Sequence, residues 1–172
     1  IGQAKYTMIC AKDGGIIDDL IVYRLATEDF MVVANASNRH AVLVAMQNKA
    51  DYGYEIDLQD QTEDWALIAV QGPKAAEILQ PIVATDLKAM PYYWIEQTKF
   101  EALEVMVAKT GYTGEDGFEL FVPDQYATEV WREILKLGGE RILPCGLACR
   151  DTLRLEAGMP LYGHELNLET TP

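Results

Sequence analysis

Residues 5–10 (KYTMIC) and 16–25 (IIDDLIVYRL) are two runs of β-branched, aromatic and apolar side chains separated by Asp13-Gly14-Gly15. A turn of that composition between such runs folds them back on one another as an antiparallel hairpin. A third short run, residues 30–34 (FMVVA), follows, and Asn35, Ser37 and Asn38 offer helix caps ahead of residues 39–49, where Val42, Ala45 and Met46 recur at helical spacing. The first third therefore reads β-β-β-α. A second cycle begins at residues 65–70 (WALIAV), and Pro73 suits the first turn of a helix carrying Ala75, Ile78, Leu79 and Ile82. Residues 105–109 and 118–122 are strand candidates around the glycine-rich run 110–117. Pro123-Asp124 opens a helix with Ala127, Val130, Trp131, Ile134 and Leu135 on one face. Residues 142–143 offer a short strand, and residues 147–157 a last helix stopped by Gly158. Residues 90–104 show no clean period.

Runs of strands punctuated by single helices specify an α+β fold of mostly antiparallel sheets with flanking helices, in two similar β-β-β-α-like halves. The polar stretch 57–64 divides them, which gives residues 1–61 as a first α+β lobe and residues 62–172 as a second. With 49% hydrophobic residues the chain can bury a core of that size. No apolar run reaches the roughly 18 residues of a membrane span. The 27 acidic and 14 basic residues leave a formal charge of −13, which repels a phosphate backbone and argues against nucleic acid. Cys10, Cys145 and Cys149 have no paired Cys-x-x-Cys spacing, and His40 and His164 have no ligand spacing, so neither a disulfide framework nor a metal site is expected.

Three segments carry chemistry. In GGIIDDLIVY, Asp18 and Asp19 sit side by side in an apolar strand, where alternation sends one of them to the face of Ile17 and Ile21. Either one caps the turn while the other faces water, or one serves as a general acid or base, or as a charge stabiliser for a cation developing on a substrate nitrogen. In TGYTGEDGFE, three glycines permit positive backbone angles and close approach to a ligand, Tyr112 supplies a flat face, and Glu119 re-enters a strand. A carboxylate there can accept two parallel N–H bonds from a 2-amino pyrimidinone edge; a wide hairpin turn with solvated acids is the bland alternative. In CGLACRDTLRLEAGMPLYGHEL, Arg150 and Arg154 lie one helical turn apart. They are either an ion-paired helix surface with Asp151 and Glu156 or include one arginine for an anionic substrate group.

Together with VANASN (residues 33–38) and ALIAVQGPKA (residues 66–75), these segments resemble the signature runs of the aminomethyltransferase family, the T-protein of the glycine cleavage system, along essentially the whole chain. The resemblance implies a folate-binding unit. It further implies an enzyme that transfers the methylene of a lipoyl-bound aminomethyl group, carried on the H-protein, to tetrahydrofolate with release of ammonia, without a metal. Residue by residue, it makes Glu119 the partner of the pteridine edge and Tyr112 a ring-packing neighbour. Tyr6 matches a folate-pocket tyrosine, Arg150 a substrate-binding arginine, and Asn35 becomes a pocket wall. Asp19 matches the acid near the reacting folate nitrogen, with Asp18 as the second choice. The family has further sequence before GQAKY and a C-terminal β-barrel domain after GHEL, so a truncated piece of a longer protein is expected. The implied compartment is the bacterial cytoplasm or, in a eukaryote, the mitochondrial matrix. The alternatives are a folate module of a sarcosine or dimethylglycine dehydrogenase-like enzyme and a non-catalytic folate-binding protein.

Overall fold

The structure is a computed structural model that describes residues 1–50, 53 and 55–172. It divides into two units: Ile1, Gln3–Gln61 and Pro160–Pro172 form the first, and Gly2 with Thr62–Met159 the second.

In the first unit β1 (Ala4–Cys10) pairs antiparallel with β2 (Ile16–Arg24), and β2 with β3 (Phe30–Ala34), in the order β1-β2-β3. Asp13 closes the hairpin, accepting from the Gly15 N–H at 3.1 Å, as a turn aspartate does. Alternation along β2 buries Ile16, Asp18 and Leu20 on one face and leaves Ile17, Asp19 and Ile21 half-buried on the other. A single 3-10 turn, Ala36–Asn38, leads into α1 (Arg39–Ala50), whose Val42 is buried. Residues 160–172, which the sequence assigned to the second lobe, belong here instead. The Ile16 N–H reaches the carbonyls of Asn167 (3.2 Å) and Thr170 (3.0 Å), and the Leu168 carbonyl occupies the space a Cβ on Gly15 would need.

The second unit is built on a four-stranded antiparallel sheet of β4 (Trp65–Gln71), β5 (Ile95–Phe100), β6 (Leu103–Ala108) and β7 (Gly117–Pro123), ordered β4-β7-β6-β5. Its helices are α2 (Ala75–Leu79), α3 (Ala127–Gly138) and α4 (Leu147–Glu156). One face of the sheet, with Ile68, Val70, Val107, Phe118, Leu120 and Val122, closes a core against Leu79 of α2 and Val130 and Ile134 of α3. Each such side chain contributes roughly 1.5–3 kcal/mol on burial. The succession β5-β6-β7-α3 echoes β1-β2-β3-α1, again with a 3-10 turn (Asp124–Tyr126) before the helix, while β4 and α2 stand ahead of the repeat.

The period was invisible in residues 90–104 because burial along β5 does not alternate strictly. The strand buries Ile95, Thr98 and Phe100 but carries Glu96, Gln97 and Lys99 between them. Ile142 is extended in backbone but belongs to no strand of either sheet; its side chain fills the space beside Gly138.

Candidate functional site

In the first unit Asn35 lies between two carboxylates. Its backbone N–H donates to Asp18 Oδ2 (3.1 Å) and its Nδ2 to Asp18 Oδ1 (2.9 Å), Asp19 Oδ1 (2.8 Å) and the Asp19 carbonyl (3.1 Å). Asn35, one of three cap candidates with Ser37 and Asn38, stands at the N-cap of the 3-10 turn Ala36–Asn38 and does not cap it through its side chain, because the amide is engaged by the aspartates. Asn38 is drawn off likewise, donating from Nδ2 to the Ile17 carbonyl at 2.6 Å.

The aspartates separate by strand alternation. Asp18 is 0% exposed and faces the inner side with Ile16 and Leu20, whereas Asp19 points with Ile17 and Ile21. On the paired strand Tyr6 stands opposite Ile21, diagonal to Asp19 on the same face, and its hydroxyl donates to Asp19 Oδ2 at 3.0 Å. Both Asp19 oxygens thus carry one neutral donor each. That holds the carboxylate in one orientation while leaving lone pairs and its negative charge for a ligand. Asp18 carries out the structural half of the pair and Asp19 the accessible half. Neither caps the turn, which is the work of Asp13.

In the second unit Glu119 sits mid-strand in β7 on the sheet face opposite the core, with Ala69 of β4 and Ala108 of β6 as its cross-strand partners. Methyl side chains on both flanks leave the carboxylate standing over a low floor. The buried Thr110 hydroxyl donates to Glu119 Oε2 in a short hydrogen bond. Of the glycines in residues 110–117, only Gly114 takes a positive φ (75°). The others serve a different need: a Cβ on Gly111 or Gly117 would collide with the Gln71 side chain.

Tyr112 and Arg150 are in direct contact, the guanidinium carbon 4.6 Å from the ring centroid. A cation over an aromatic face contributes about 0.5–1 kcal/mol at an exposed site. The two arginines of α4 thus part company. Arg150 is exposed, with no ion pair among the described residues. Arg154 is 3% exposed, donates through Nε and Nη2 to Asp151 Oδ1 (2.8 Å each) and through Nη1 to the Met159 carbonyl (3.2 Å). Arg154→Met will cost roughly 1.5–3 kcal/mol, chiefly through the lost bonds of a buried guanidinium, since the half-exposed Asp151 can turn to water, and Arg150→Ala at most about 1 kcal/mol, as read by urea unfolding. Equal midpoints for the two variants would contradict this division.

Two residues escaped the sequence. Tyr92 and Tyr93 meet edge to face, centroids 4.8 Å apart, in the segment with no legible period. Tyr92 is 58% exposed, and partial burial, followed by Glu119 and Asp116, raises its hydroxyl above its ordinary pKa. Burial likewise raises Tyr93, followed by Tyr92 and Glu119. Both hydroxyls therefore remain protonated, and able to donate, at neutral pH. Tyr93 takes φ 58°, a conformation costing a non-glycine residue about 1–3 kcal/mol, and is held there by backbone bonds from its N–H to the Lys109 carbonyl (3.0 Å) and from Lys109 N–H to Trp94 (2.8 Å). The adjacent aromatic pair after Pro91 was the available signal.

The structure therefore gathers Tyr6, Asp18, Asp19 and Asn35 in the first unit, and in the second it pairs Tyr112 with Arg150 and, separately, Glu119 with Thr110.

A three-stranded sheet carrying paired carboxylates, and a four-stranded sheet with a glycine loop leading to a strand glutamate, define an α+β protein of antiparallel sheets. The chain belongs to the family described as the GCVT N-terminal domain, which it matches over residues 1–172. It is 51% identical over 173 residues to an aminomethyltransferase of Saccharopolyspora erythraea, covering 100% of this chain and 47% of that protein. It is 54% identical over 176 residues to one of Corynebacterium aurimucosum, covering 99% and 47%. The chain thus spans about half the length of the curated relatives it matches. Among solved structures, the glycine cleavage system aminomethyltransferase T of Bartonella henselae superposes with a TM-score of 0.86 at 36% identity, covering 100% of this chain and 45% of that one. A heterotetrameric sarcosine oxidase from Corynebacterium sp. U-96 shares the fold, with a TM-score of 0.60 at 16% identity over 85% of this chain and 69% of that one.

Proposed function

We propose that the full-length protein is an aminomethyltransferase. It takes the methylene of an aminomethyl group held on the lipoyl arm of a carrier protein, the H-protein, transfers it to tetrahydrofolate and releases ammonia. The observation that carries this reading is the relation of the entire chain, at about half identity, to proteins named aminomethyltransferase. The donor set fits a reduced pterin. Glu119 offers an acceptor over a floor of alanines, suited to the paired N–H groups of a 2-amino pyrimidinone edge, and Tyr112 offers a ring face backed by the Arg150 charge.

The reactants supply the two bonds to be broken, carbon–sulfur and carbon–nitrogen of the aminomethyl arm, and the two folate nitrogens that replace them on the carbon, so that sulfur leaves as the thiol of the dihydrolipoyl arm and the amine leaves as ammonia. What the chain supplies is geometry and charge. In this reading Asp19, its oxygens fixed by Tyr6 and Asn35, stabilises the positive charge that develops on the transferred carbon and nitrogen and orders the attacking amine. Asp18 keeps Asn35 in place rather than touching the reactants, and Arg150 carries an anionic group of the substrate. The chain needs no nucleophile of its own.

Asp19→Asn keeps the size of the side chain and removes its charge. It will reduce turnover roughly 100- to 1000-fold while tetrahydrofolate binding changes less than about threefold, a split visible in steady-state kinetics beside calorimetry. Undiminished turnover would remove Asp19 from the reaction. The sarcosine oxidase likeness extends to the fold alone, and no observation favours the dehydrogenase-linked or non-catalytic readings over this one. No helix among the described residues is long and apolar enough to cross a membrane. From the bacterial origin of the matched relatives we propose the cytoplasm as the compartment.

A further inference from the structure

We infer that Gln71 and Thr110 are positioning residues for Glu119, together fixing where its carboxylate points; this rests on the reading that Glu119 anchors the pterin edge. Gln71 ends β4 directly opposite Gly117, on the same sheet face as Glu119. Its Nε2 donates to the Thr110 carbonyl (3.2 Å) and to the Phe118 carbonyl (3.1 Å). These two carbonyls bracket the glycine-rich loop. One belongs to the residue just before it, and the other to the residue just before Glu119.

The other end of the amide explains the glycines. Gln71 Oε1 is buried and accepts no hydrogen bond among the described residues, and it occupies the space that a Cβ on Gly111 and a Cβ on Gly117 would need. Neither glycine has a positive φ, so backbone angle does not require them. The missing side chains make room for the Gln71 amide. A second tie, the Gly72 N–H to the Asp116 carbonyl at 2.7 Å, holds the far side of the loop to the end of β4.

Thr110 completes the chain of contacts. Its carbonyl is held by Gln71, its side chain is 1% exposed, and its hydroxyl donates to Glu119 Oε2. The hydrogen bond fixes one carboxylate oxygen while using only one of its lone pairs, so the acceptor is oriented before any ligand arrives. An acceptor fixed in advance does not lose rotamer freedom on binding, which raises affinity without adding a contact to the ligand. This arrangement accounts for Gln71, Thr110, Gly111 and Gly117, none of which touches the pterin in the proposed function.

The test is a double-mutant cycle in the full-length protein, with tetrahydrofolate titrated by calorimetry under nitrogen and melting followed alongside. Thr110→Val keeps the shape of the side chain and removes the donor. It is expected to weaken tetrahydrofolate binding roughly tenfold in the wild-type background and less than about twofold in a Glu119→Ala background, whereas Thr110→Ser restores wild-type affinity. Gln71→Met, which removes the amide at similar length, is expected to weaken binding about as much as Thr110→Val. Should Gln71→Met fail to fold, the threonine cycle decides alone. Equal penalties for Thr110→Val in both backgrounds would show that the threonine acts on the fold and not through Glu119, and would overturn the inference. So would undiminished affinity in Thr110→Val when Glu119→Ala itself binds weakly, which leaves the anchor standing. Undiminished affinity in Glu119→Ala would instead overturn the anchor reading and this inference with it.

Discussion

Asp18→Ala will destabilise the full-length protein by about 3–5 kcal/mol, the cost of removing one member of a buried, hydrogen-bonded polar set. The substitution strands the Asn35 backbone N–H and one bond of its amide in a dry setting, since Asp18 is 0% exposed and accepts both. Each buried donor left without an acceptor costs about 1–3 kcal/mol, and the lost carboxylate volume adds to that. Asp19→Ala will cost less than about 1 kcal/mol, because its partners Tyr6 and Asn35 retain water or Asp18 as alternatives. Urea unfolding followed by far-ultraviolet dichroism measures both. Two neighbouring aspartates in one strand are thus expected to fail differently, one by unfolding and the other by lost turnover. Equal loss of stability would undo the division of labour between them.

Glu119→Ala will weaken tetrahydrofolate binding about 30- to 150-fold, the range expected when a charged acceptor of paired hydrogen bonds is removed. Its effect on stability will be at most about 1–3 kcal/mol, the cost of taking the acceptor from the buried Thr110 hydroxyl, because Glu119 itself projects from the sheet face opposite the core. Glu119→Gln separates charge from shape. It retains one acceptor oxygen but presents an NH₂ where the ligand also donates, so affinity should fall nearly as far as in the alanine variant. Calorimetry on correctly folded protein reads both numbers, and wild-type affinity in either would remove Glu119 from the binding site.

Much of this molecule was legible because its strands are short, apolar and closed by glycine or aspartate turns. The hairpin of β1 and β2, the third strand and the helices α1 and α4 all fall within a residue or two of where periodicity put them, while α3 begins at Ala127, after a 3-10 turn, rather than at Pro123-Asp124. What periodicity could not deliver was β5, where the polar Glu96, Gln97 and Lys99 interrupt the buried Ile95, Thr98 and Phe100 without strict alternation. Nor could it find the return of residues 160–172 to the first unit, since backbone bonds from Ile16 leave no mark on side-chain composition.

The candidate site was legible by residue type but not by role. Alternation alone says that Asp18 and Asp19 face apart; only their bonds to Asn35 and Tyr6 say which is held inside. Asn35 read as a cap because asparagine before a helix usually is one, and here two carboxylates compete successfully for its amide. Arg150 and Arg154 were interchangeable on a helical wheel until burial distinguished them. The glycines around Tyr112 suggested unusual backbone angles, whereas two of them turn out to make space for a glutamine forty or more residues away in sequence, a long-range relation no local pattern encodes.

The central claim is that this chain forms the folate-handling part of an enzyme that moves a methylene from a lipoyl arm to tetrahydrofolate. The direct measurement is ammonia release by the full-length protein from an aminomethyl-loaded lipoyl carrier protein, with and without tetrahydrofolate. The account predicts fast release only when both the loaded carrier and tetrahydrofolate are present, with methylene-tetrahydrofolate appearing in equal amount and the rate collapsing in Asp19→Asn. Ammonia release that is indifferent to tetrahydrofolate, or folate binding with no carrier-dependent transfer, would contradict it.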